Sequence, residues 1–309
     1  MAPTTSSERH VLITGGSKGI GFEIARHFLL VGTPKVSILA RNEKDLSSAR
    51  KRLLEEFPDA KVERVVADTT NYDQLTSQLA KAQETLGPID VLVCNAGMSI
   101  PKLMIESSIE DYERQINVNY LGAVRSVKAV LPDMMSRKSG HIVLVSSMMG
   151  VLGFAGYSSY APSKWALRGF ADCLRNELHG TGIKVSIAYP PDTETPGYAN
   201  ETELKSPLCV QVNEALGSTL YSADRVAAGI VKGYTKGRFH IPPPDVGSTL
   251  LVSTMTSLTR PGVFWMPLQM ILGPILLLVK AFLTWQIDRV ATRYWRTTPR
   301  PFATTKKRS

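Results

Sequence analysis

Cysteine is scarce in this chain of 309 residues: Cys94, Cys173 and Cys209 stand far apart. An odd, dispersed set provides neither a disulfide framework nor a paired-cysteine metal motif, and it fits a reducing compartment. No metal site is expected. Residues 1–10 are polar, so no secretory signal or N-terminal anchor is expected there. Internal repeats and low-complexity segments are missing as well. With 43% hydrophobic and 20% charged residues, the composition excludes a disordered or collagen-like chain. Acid is missing from one stretch in particular. Residues 289–309 hold Arg289, Arg293, Arg296, Arg300, Lys306, Lys307 and Arg308 and no Asp or Glu, a local +7 within a formal charge of +9. The other 288 residues therefore carry only +2. Basicity describes a tail, not a nucleic-acid-binding face, and no nucleic-acid partner is expected.

What is present is alternation. Short β-branched runs at 11–13, 36–39, 62–66, 91–93, 142–145 and 185–188 are separated by helical patterns at 20–31, 43–56, 72–86, 109–136 and 158–179. A further helix is predicted at 223–235 and a last strand near 238–241. Apolar strands alternating with helices predict a parallel sheet covered on both faces. With right-handed crossovers this is an α/β, doubly wound, Rossmann-type domain over residues 1–241.

The first strand runs into Thr14-Gly15-Gly16-Ser17-Lys18-Gly19-Ile20-Gly21. Glycines there allow a tight turn and let a pyrophosphate approach the backbone at a helix N-terminus. Arg41 follows the last glycine by about 20 residues, the place where an acid would bind a free ribose 2′-hydroxyl. An arginine there suits a 2′-phosphate, with Lys18 as a second cation, so NADPH/NADP+ is the expected cofactor. Asp68, after the third strand, stands either to accept from the adenine amino group or to cap its own loop.

Tyr160 and Lys164 lie four residues apart, on one face of a predicted helix. An ammonium beside a phenol favours the phenolate, so a lowered Tyr160 pKa and a general acid–base role are expected. Pro162 between them is tolerable only in the first turn of the helix. Ser147 follows the fifth strand and is placed to reach the same point. Ser146 beside it is read as structural, and Tyr157, with Ala161 four residues on, is not read as the acid.

Taken together, residues 14–21, Asn95-Ala96-Gly97, Asn119, Ser147, and Tyr160 with Lys164 resemble the short-chain dehydrogenase/reductase motif set in order and spacing, over about residues 9–241. The resemblance implies that Ser147 binds the substrate carbonyl and Tyr160 transfers the proton. Lys164 would bind the nicotinamide ribose and lower the tyrosine pKa, and Asn119 would hold a water of the proton relay. It further implies that Gly15, Ser17, Lys18, Gly19, Ile20, Gly21, Arg41, Asp68, Asn95, Ala96, Gly97, Pro190, Thr193 and Thr195 line the cofactor site. Pro191 departs from the family, standing where a glycine is usual, and stiffens the loop beside the nicotinamide. The string 190–197, Pro-Pro-Asp-Thr-Glu-Thr-Pro-Gly, resembles that of the family's 3-ketodihydrosphingosine reductases. This implies NADPH-dependent reduction of a long-chain lipid ketone to dihydrosphingosine, with a homodimer or homotetramer as the usual assembly. One alternative is another lipid ketone reductase of the same fold, acting on a β-ketoacyl thioester, steroid or retinoid. A second is a non-catalytic NADP-binding membrane scaffold, against which the intact Ser147, Tyr160 and Lys164 argue.

After 241 the composition changes. Pro242-Pro243-Pro244 opens an expected linker over 242–262. Residues 263–287 carry one charge, Lys280, and read as a membrane-associated segment; residues 288–309 read as a basic cytosolic tail. A helix of 25 residues would reach about 37 Å, enough to cross a bilayer core of roughly 30 Å. Gly273-Pro274 is expected to interrupt it, and a single span would carry the basic tail away from the cytosol. A re-entrant or in-plane hairpin is therefore favoured over a simple span. Trp265, Trp285, Tyr294 and Trp295 would sit at headgroup level, and Lys280 would snorkel. Lys306-Lys307-Arg308-Ser309 fits a dilysine retrieval signal, which places the chain at the endoplasmic reticulum membrane with its catalytic domain on the cytosolic face. Asn200-Glu201-Thr202 is a glycosylation sequon that a cytosolic domain leaves unused.

Overall fold

The β-branched runs pair into one sheet because each is too short and too apolar to stand alone. The computed structural model describes residues 9–217, 219–253 and 266–297. Strands β1 (His10–Thr14), β2 (Lys35–Ala40), β3 (Lys61–Val66) and β4 (Ile89–Cys94) alternate with helices α1 (Gly19–Leu30), α2 (Glu43–Glu56) and α3 (Tyr72–Leu86). Next come α4 (Ile109–Gln115), α5 (Gly122–Arg137), β5 (Gly140–Val145), α6 (Tyr160–Glu177) and β6 (Ile183–Ala188). After β6 lie β7 (Thr193–Glu194), α7 (Pro196–Leu204), α8 (Pro207–Leu216), β8 (Tyr221–Ser222), α9 (Ala223–Thr235) and β9 (His240–Ile241). Two further helices, α10 (Val246–Ser253) and α11 (Met266–Thr297), follow. The main sheet has seven parallel strands in the order β3-β2-β1-β4-β5-β6-β9, and β7 pairs with β8 apart from it. The order reverses between β1 and β4, and a doubly wound sheet opens a crevice at that switch point.

Both faces of the sheet are covered. Leu12, Leu92, Ile142 and Ile187 pack with α3, α5 and α6 residues such as Leu79, Val127 and Leu167. Val11, Ile38, Val91 and Val143 pack on the other side with Ile24, Phe28, Leu46 and Ile230 of α1, α2 and α9. Side chains cap the helices that open near the site: Asn42 caps α2, Asn71 caps α3, and Ser108 forms a capping box with Asp111 at α4.

The predicted helix over 109–136 is in fact α4 and α5 joined by a π-helical turn, Ile116–Leu121. The C-terminal region differs more. The expected linker 242–262 contains α10, whose Val252 is buried in the core. The expected interruption at Gly273-Pro274 is absent, since α11 runs through Pro274 and continues past 287 to Thr297. A proline forfeits one ladder bond and crowds the carbonyl four residues back, which bends a long helix without ending it. On its C-terminal half, Ile287, Val290, Ala291 and Tyr294 pack against Leu103, Leu208 and Val212. Among the described residues no helix is long and apolar enough to cross a membrane. The expected placements of residues 1–8, Trp265, the dilysine signal at 306–309, and the Lys280 and Trp295 side chains lie outside what is described.

Candidate active site

The glycine loop joins β1 to α1. Gly15 and Gly19 adopt φ +67° and +53°, in the left-handed region. A Cβ on Gly21 would lie 2.2 Å from the Gly15 carbonyl oxygen, so the turn closes only with glycine there. The amides of the first turn of α1 are not capped by a side chain, because Lys18 at the cap position makes no such bond. Asn95 holds the loop from beneath: its Nδ2 donates to the Thr14 and Gly15 carbonyls, each at 3.2 Å. The Thr14 hydroxyl accepts from the Asn95 and Ala96 amides at 3.0 Å. Sequence reasoning passed over Thr14 as a site residue. Its signal was its place as the last residue of β1, where the strand gives way to the glycines.

At the adenosine end, Lys18 pairs with Asp45 at 2.7 Å, and Arg41 stands 3.9 Å from Asp68. Both cations are largely exposed, so these pairs hold them weakly. Asp68 Oδ1 accepts from the Thr70 amide and hydroxyl at 2.8 Å, which is the loop-capping arrangement. Its Oδ2 faces Arg41.

Ser147, Tyr160 and Lys164 converge at the C-terminal ends of β4, β5 and β6. Tyr160 is the first residue of α6, which leaves Pro162 in the first turn as required. The Ser147 hydroxyl faces the Tyr160 phenol and accepts from the Met149 amide at 3.1 Å. Lys164 is buried, donates to the Val145 carbonyl at 3.1 Å, and lies 5.7 Å from the centre of the Tyr160 ring. The expected lowering of the tyrosine pKa is not what this arrangement gives. Burial pushes the phenol up, Glu201 and Asp192 add to that, and Ser147 opposes it. Burial also brings the Lys164 ammonium down to about 8. Desolvation outweighs the proximity that the spacing of the two residues suggested.

Asn119 projects from the π-helical turn. Its Nδ2 donates to the Met98 carbonyl and to Ser163 Oγ, both at 2.9 Å, and its Oδ1 accepts from the Met98 amide at 2.8 Å. One lone pair of Oδ1 remains for a water. A Cβ on Gly97 would stand 3.2 Å from Asn119 Oδ1 and 3.3 Å from Lys164 Nζ, so the bare backbone at 97 keeps the ammonium reachable. Buried Gln115, also unanticipated, ties the neighbouring loop to α6. It accepts from the Ile100 amide at 3.0 Å and donates to Ser159 Oγ at 2.7 Å.

The remaining predicted residues stand as follows. Ser146 Oγ donates to the Lys164 carbonyl at 2.9 Å, a structural bond. Tyr157 is buried and its hydroxyl is spent on Glu201, at 2.7 Å. The Pro190 carbonyl accepts from the Met148 amide, and Thr193 Oγ1 donates to the Pro191 carbonyl. Thr195 caps α7, and its methyl group bears on Gly19, where a Cβ would approach it to 2.9 Å. Ser17 flanks the same turn, partly exposed. Ile20, Asn95, Gly97, Ser147, Tyr160, Lys164, Pro190, Thr193 and Thr195 line one cleft of about 650 Å³. An uncapped helix N-terminus, a glycine turn and a buried ammonium on the cleft wall fit a nicotinamide dinucleotide lying along it.

The short chain dehydrogenase family model matches residues 9–205. The 3-ketodihydrosphingosine reductase of Bos taurus is 38% identical over 234 residues, covering 75% of this chain and 70% of that protein. The protein of the same name from Dictyostelium discoideum is 33% identical over 307 residues, 93% of this chain and 89% of its own length. Among solved structures, levodione reductase superposes with a TM-score of 0.71 at 24% identity, covering 78% of this chain and 97% of that one, a likeness of fold. With the motifs gathered at the switch point of one parallel sheet and the family matched over most of its length, this chain belongs to the short chain dehydrogenase family.

Proposed function

We propose that this chain reduces the ketone of 3-ketodihydrosphingosine to the alcohol of dihydrosphingosine, using NADPH. It is an oxidoreductase with a nicotinamide cofactor. The reading rests on one observation above the rest: Ser147, Tyr160 and Lys164 line one cleft, in a chain that matches reductases of that substrate over most of its length. Residues 15–21 with Asn95, Ala96 and Gly97 would hold the dinucleotide. Lys18 and Arg41, exposed and each tied only weakly to a half-buried acid, are free to turn to a 2′-phosphate, which supports NADPH over NADH.

When bound, the cofactor supplies a hydride for the carbonyl carbon. The chain supplies the rest. Ser147 Oγ donates to the ketone oxygen and fixes its position beside the phenol. Tyr160, kept protonated by its buried setting, gives its proton to the alkoxide that develops there, and an alkoxide is basic enough to take a proton even from a reluctant phenol. Lys164 steadies the phenolate left behind, and Asn119 keeps the loop at Met98 in register beneath the site.

Membrane attachment belongs to the same proposal. Ile275, Leu278, Phe282 and Trp285 are 51%, 73%, 54% and 53% exposed and recur every three or four residues along α11. They form one apolar stripe turned away from the domain. A helix of this kind lies in the plane of a bilayer, which supports in-plane docking at the cytosolic face of the endoplasmic reticulum membrane. A long-chain ketone would then reach the cleft from the lipid surface. Assay of the purified chain with 3-ketodihydrosphingosine, a β-ketoacyl thioester and a steroid ketone, each with NADPH and with NADH, tests the function. Faster turnover of either other ketone overturns the substrate, and a preference for NADH overturns the cofactor.

A further inference from the structure

One wall of the cleft carries polar groups that the steps above do not use. Glu201, on α7, is largely buried and accepts from the Tyr157 hydroxyl at 2.7 Å. The Tyr157 ring lies 6.0 Å from that of Tyr160, so the carboxylate stands one side chain away from the proton donor. Lys205, one turn further along and almost wholly buried, is 3.6 Å from the same carboxylate and 4.4 Å from the centre of the Tyr198 ring. Asp192, at the end of the loop after β6, lines the cleft too, and its Oδ2 is only 3.5 Å from the Tyr198 hydroxyl. Ser99 Oγ, also on the cleft lining, is buried without a hydrogen bond of ordinary geometry and faces Glu201.

Charge on this wall does not balance. Two carboxylates, Asp192 and Glu201, stand against one ammonium, Lys205. Burial raises the Glu201 pKa, with Asp192 adding to it, while Tyr157, Lys205 and Ser99 oppose the rise. Burial works against the Lys205 ammonium, yet Glu201, Tyr198 and Asp192 more than offset it, so lysine stays charged. A second cation placed between the two carboxylates would complete the set, and a buried carboxylate is stabilised by a charged donor more than by a neutral one. The proposed substrate carries one. Its amine sits on the carbon next to the ketone, so a carbonyl held at Ser147 and Tyr160 brings the ammonium within a few ångströms of them.

We infer that Glu201, oriented by Tyr157 and assisted by Asp192, binds the ammonium of a 2-amino ketone and so selects it over ketones without the amine. This assignment rests on the substrate class proposed above and makes Glu201 a specificity residue, not a proton donor.

The test compares 3-ketodihydrosphingosine with the same ketone lacking the amine, for the unaltered chain and for Glu201→Gln. Glutamine keeps the shape and an oxygen for Tyr157 and removes the charge. The unaltered chain should prefer the amino ketone in kcat/KM by about tenfold or more, a charged hydrogen bond's worth. Glu201→Gln should lose most of that preference through KM, keep its rate on the amine-free ketone, and regain part of it as Glu201→Asp. A general fault in folding would lower both substrates together. A measurement without any variant covers the case in which Glu201→Gln does not fold. Dihydrosphingosine should inhibit the unaltered chain at a concentration about tenfold lower than the matching diol without the amine. No turnover of the amino ketone by the unaltered chain overturns the functional reading, and this assignment with it. Turnover with equal losses on both ketones, or equal inhibition by amine and diol, overturns the assignment alone.

Discussion

Lys164 is where stability and chemistry pull apart. Its ammonium is buried, and burial holds its pKa at about 8. Because that value lies below the ordinary lysine value, the unfolded chain binds the proton more tightly. The folded state therefore carries a cost, full at neutral pH, that fades as pH rises from about 8 to the ordinary lysine range. The gap corresponds to roughly 3 kcal/mol, less what the bond to Val145 returns. Lys164→Met should raise the stability of the chain by about 1–2 kcal/mol at pH 7 in urea unfolding while abolishing turnover. In the unaltered chain, turnover should fall as pH passes above about 8 and the ammonium is lost. Tyr160→Phe keeps the ring's packing and removes the donor. It should cost about 10²–10⁴ in kcat and leave NADPH binding, followed by fluorescence, within a few-fold. Near-normal turnover would remove Tyr160 from the mechanism.

At the level of elements, the turn between β1 and α1 has the least freedom. Gly21→Ala would force its methyl to 2.2 Å from the Gly15 carbonyl and 2.5 Å from Asn95 Nδ2, so backbone must move. A loss of about 3 kcal/mol and of nucleotide binding is expected. Gly169, inside α6 with open space around it, is the control: Gly169→Ala should stabilise by up to about 1 kcal/mol, read as Tm. This turn, the six leading strands and the Ser147–Tyr160–Lys164 set were legible in the sequence, because tight turns and strand–helix alternation are local. The π-helical turn at Ile116–Leu121 was not, since one extra residue hardly disturbs an apolar period that continues through it. Helix α7 fully buries no apolar residue and so has no apolar face to announce it, although Thr195-Pro196 is a cap followed by a first-turn proline. The direction of the Tyr160 pKa was also hidden. Spacing fixes which charges are near, whereas burial depends on what the loops after β4 and β6 bring over the ring.

For the whole molecule, the outward stripe of α11 carries the proposed membrane attachment. Leu278→Asp together with Phe282→Asp places two charges on that stripe, away from the cleft. Co-sedimentation with phospholipid vesicles should fall at least tenfold, since each buried apolar side chain contributes about 1.5–3 kcal/mol, while turnover in detergent stays unchanged. Retained sedimentation would move the attachment elsewhere. Acid sensitivity is also a property of the whole sheet. His10, His141 and His240 are held neutral by burial, His141 with its pKa down to about 3 and His240 to about 4. Folded values below the unfolded value of about 6.5 mean that stability is present above that pH and is lost as pH falls toward 4. Guanidinium unfolding at pH 5 against pH 7 should show a loss of about 1–2 kcal/mol for each of His141 and His240, with His10 adding to it in the same direction.

The strand order also sets a timetable. β1 lies inside the sheet, and its neighbours are β2 and, on the far side, β4, whose register partners are Ile89 to Cys94. At about 5–20 residues per second, the ribosome delivers β4 roughly 4–17 s after β1. Until then one edge of this fully buried strand is unpaired, and the glycine turn has no Asn95 to hold it. Helix α11 emerges after β9 has closed the sheet. The exposed apolar stripe therefore reaches water attached to a finished domain, so the docking at a bilayer proposed above would follow translation.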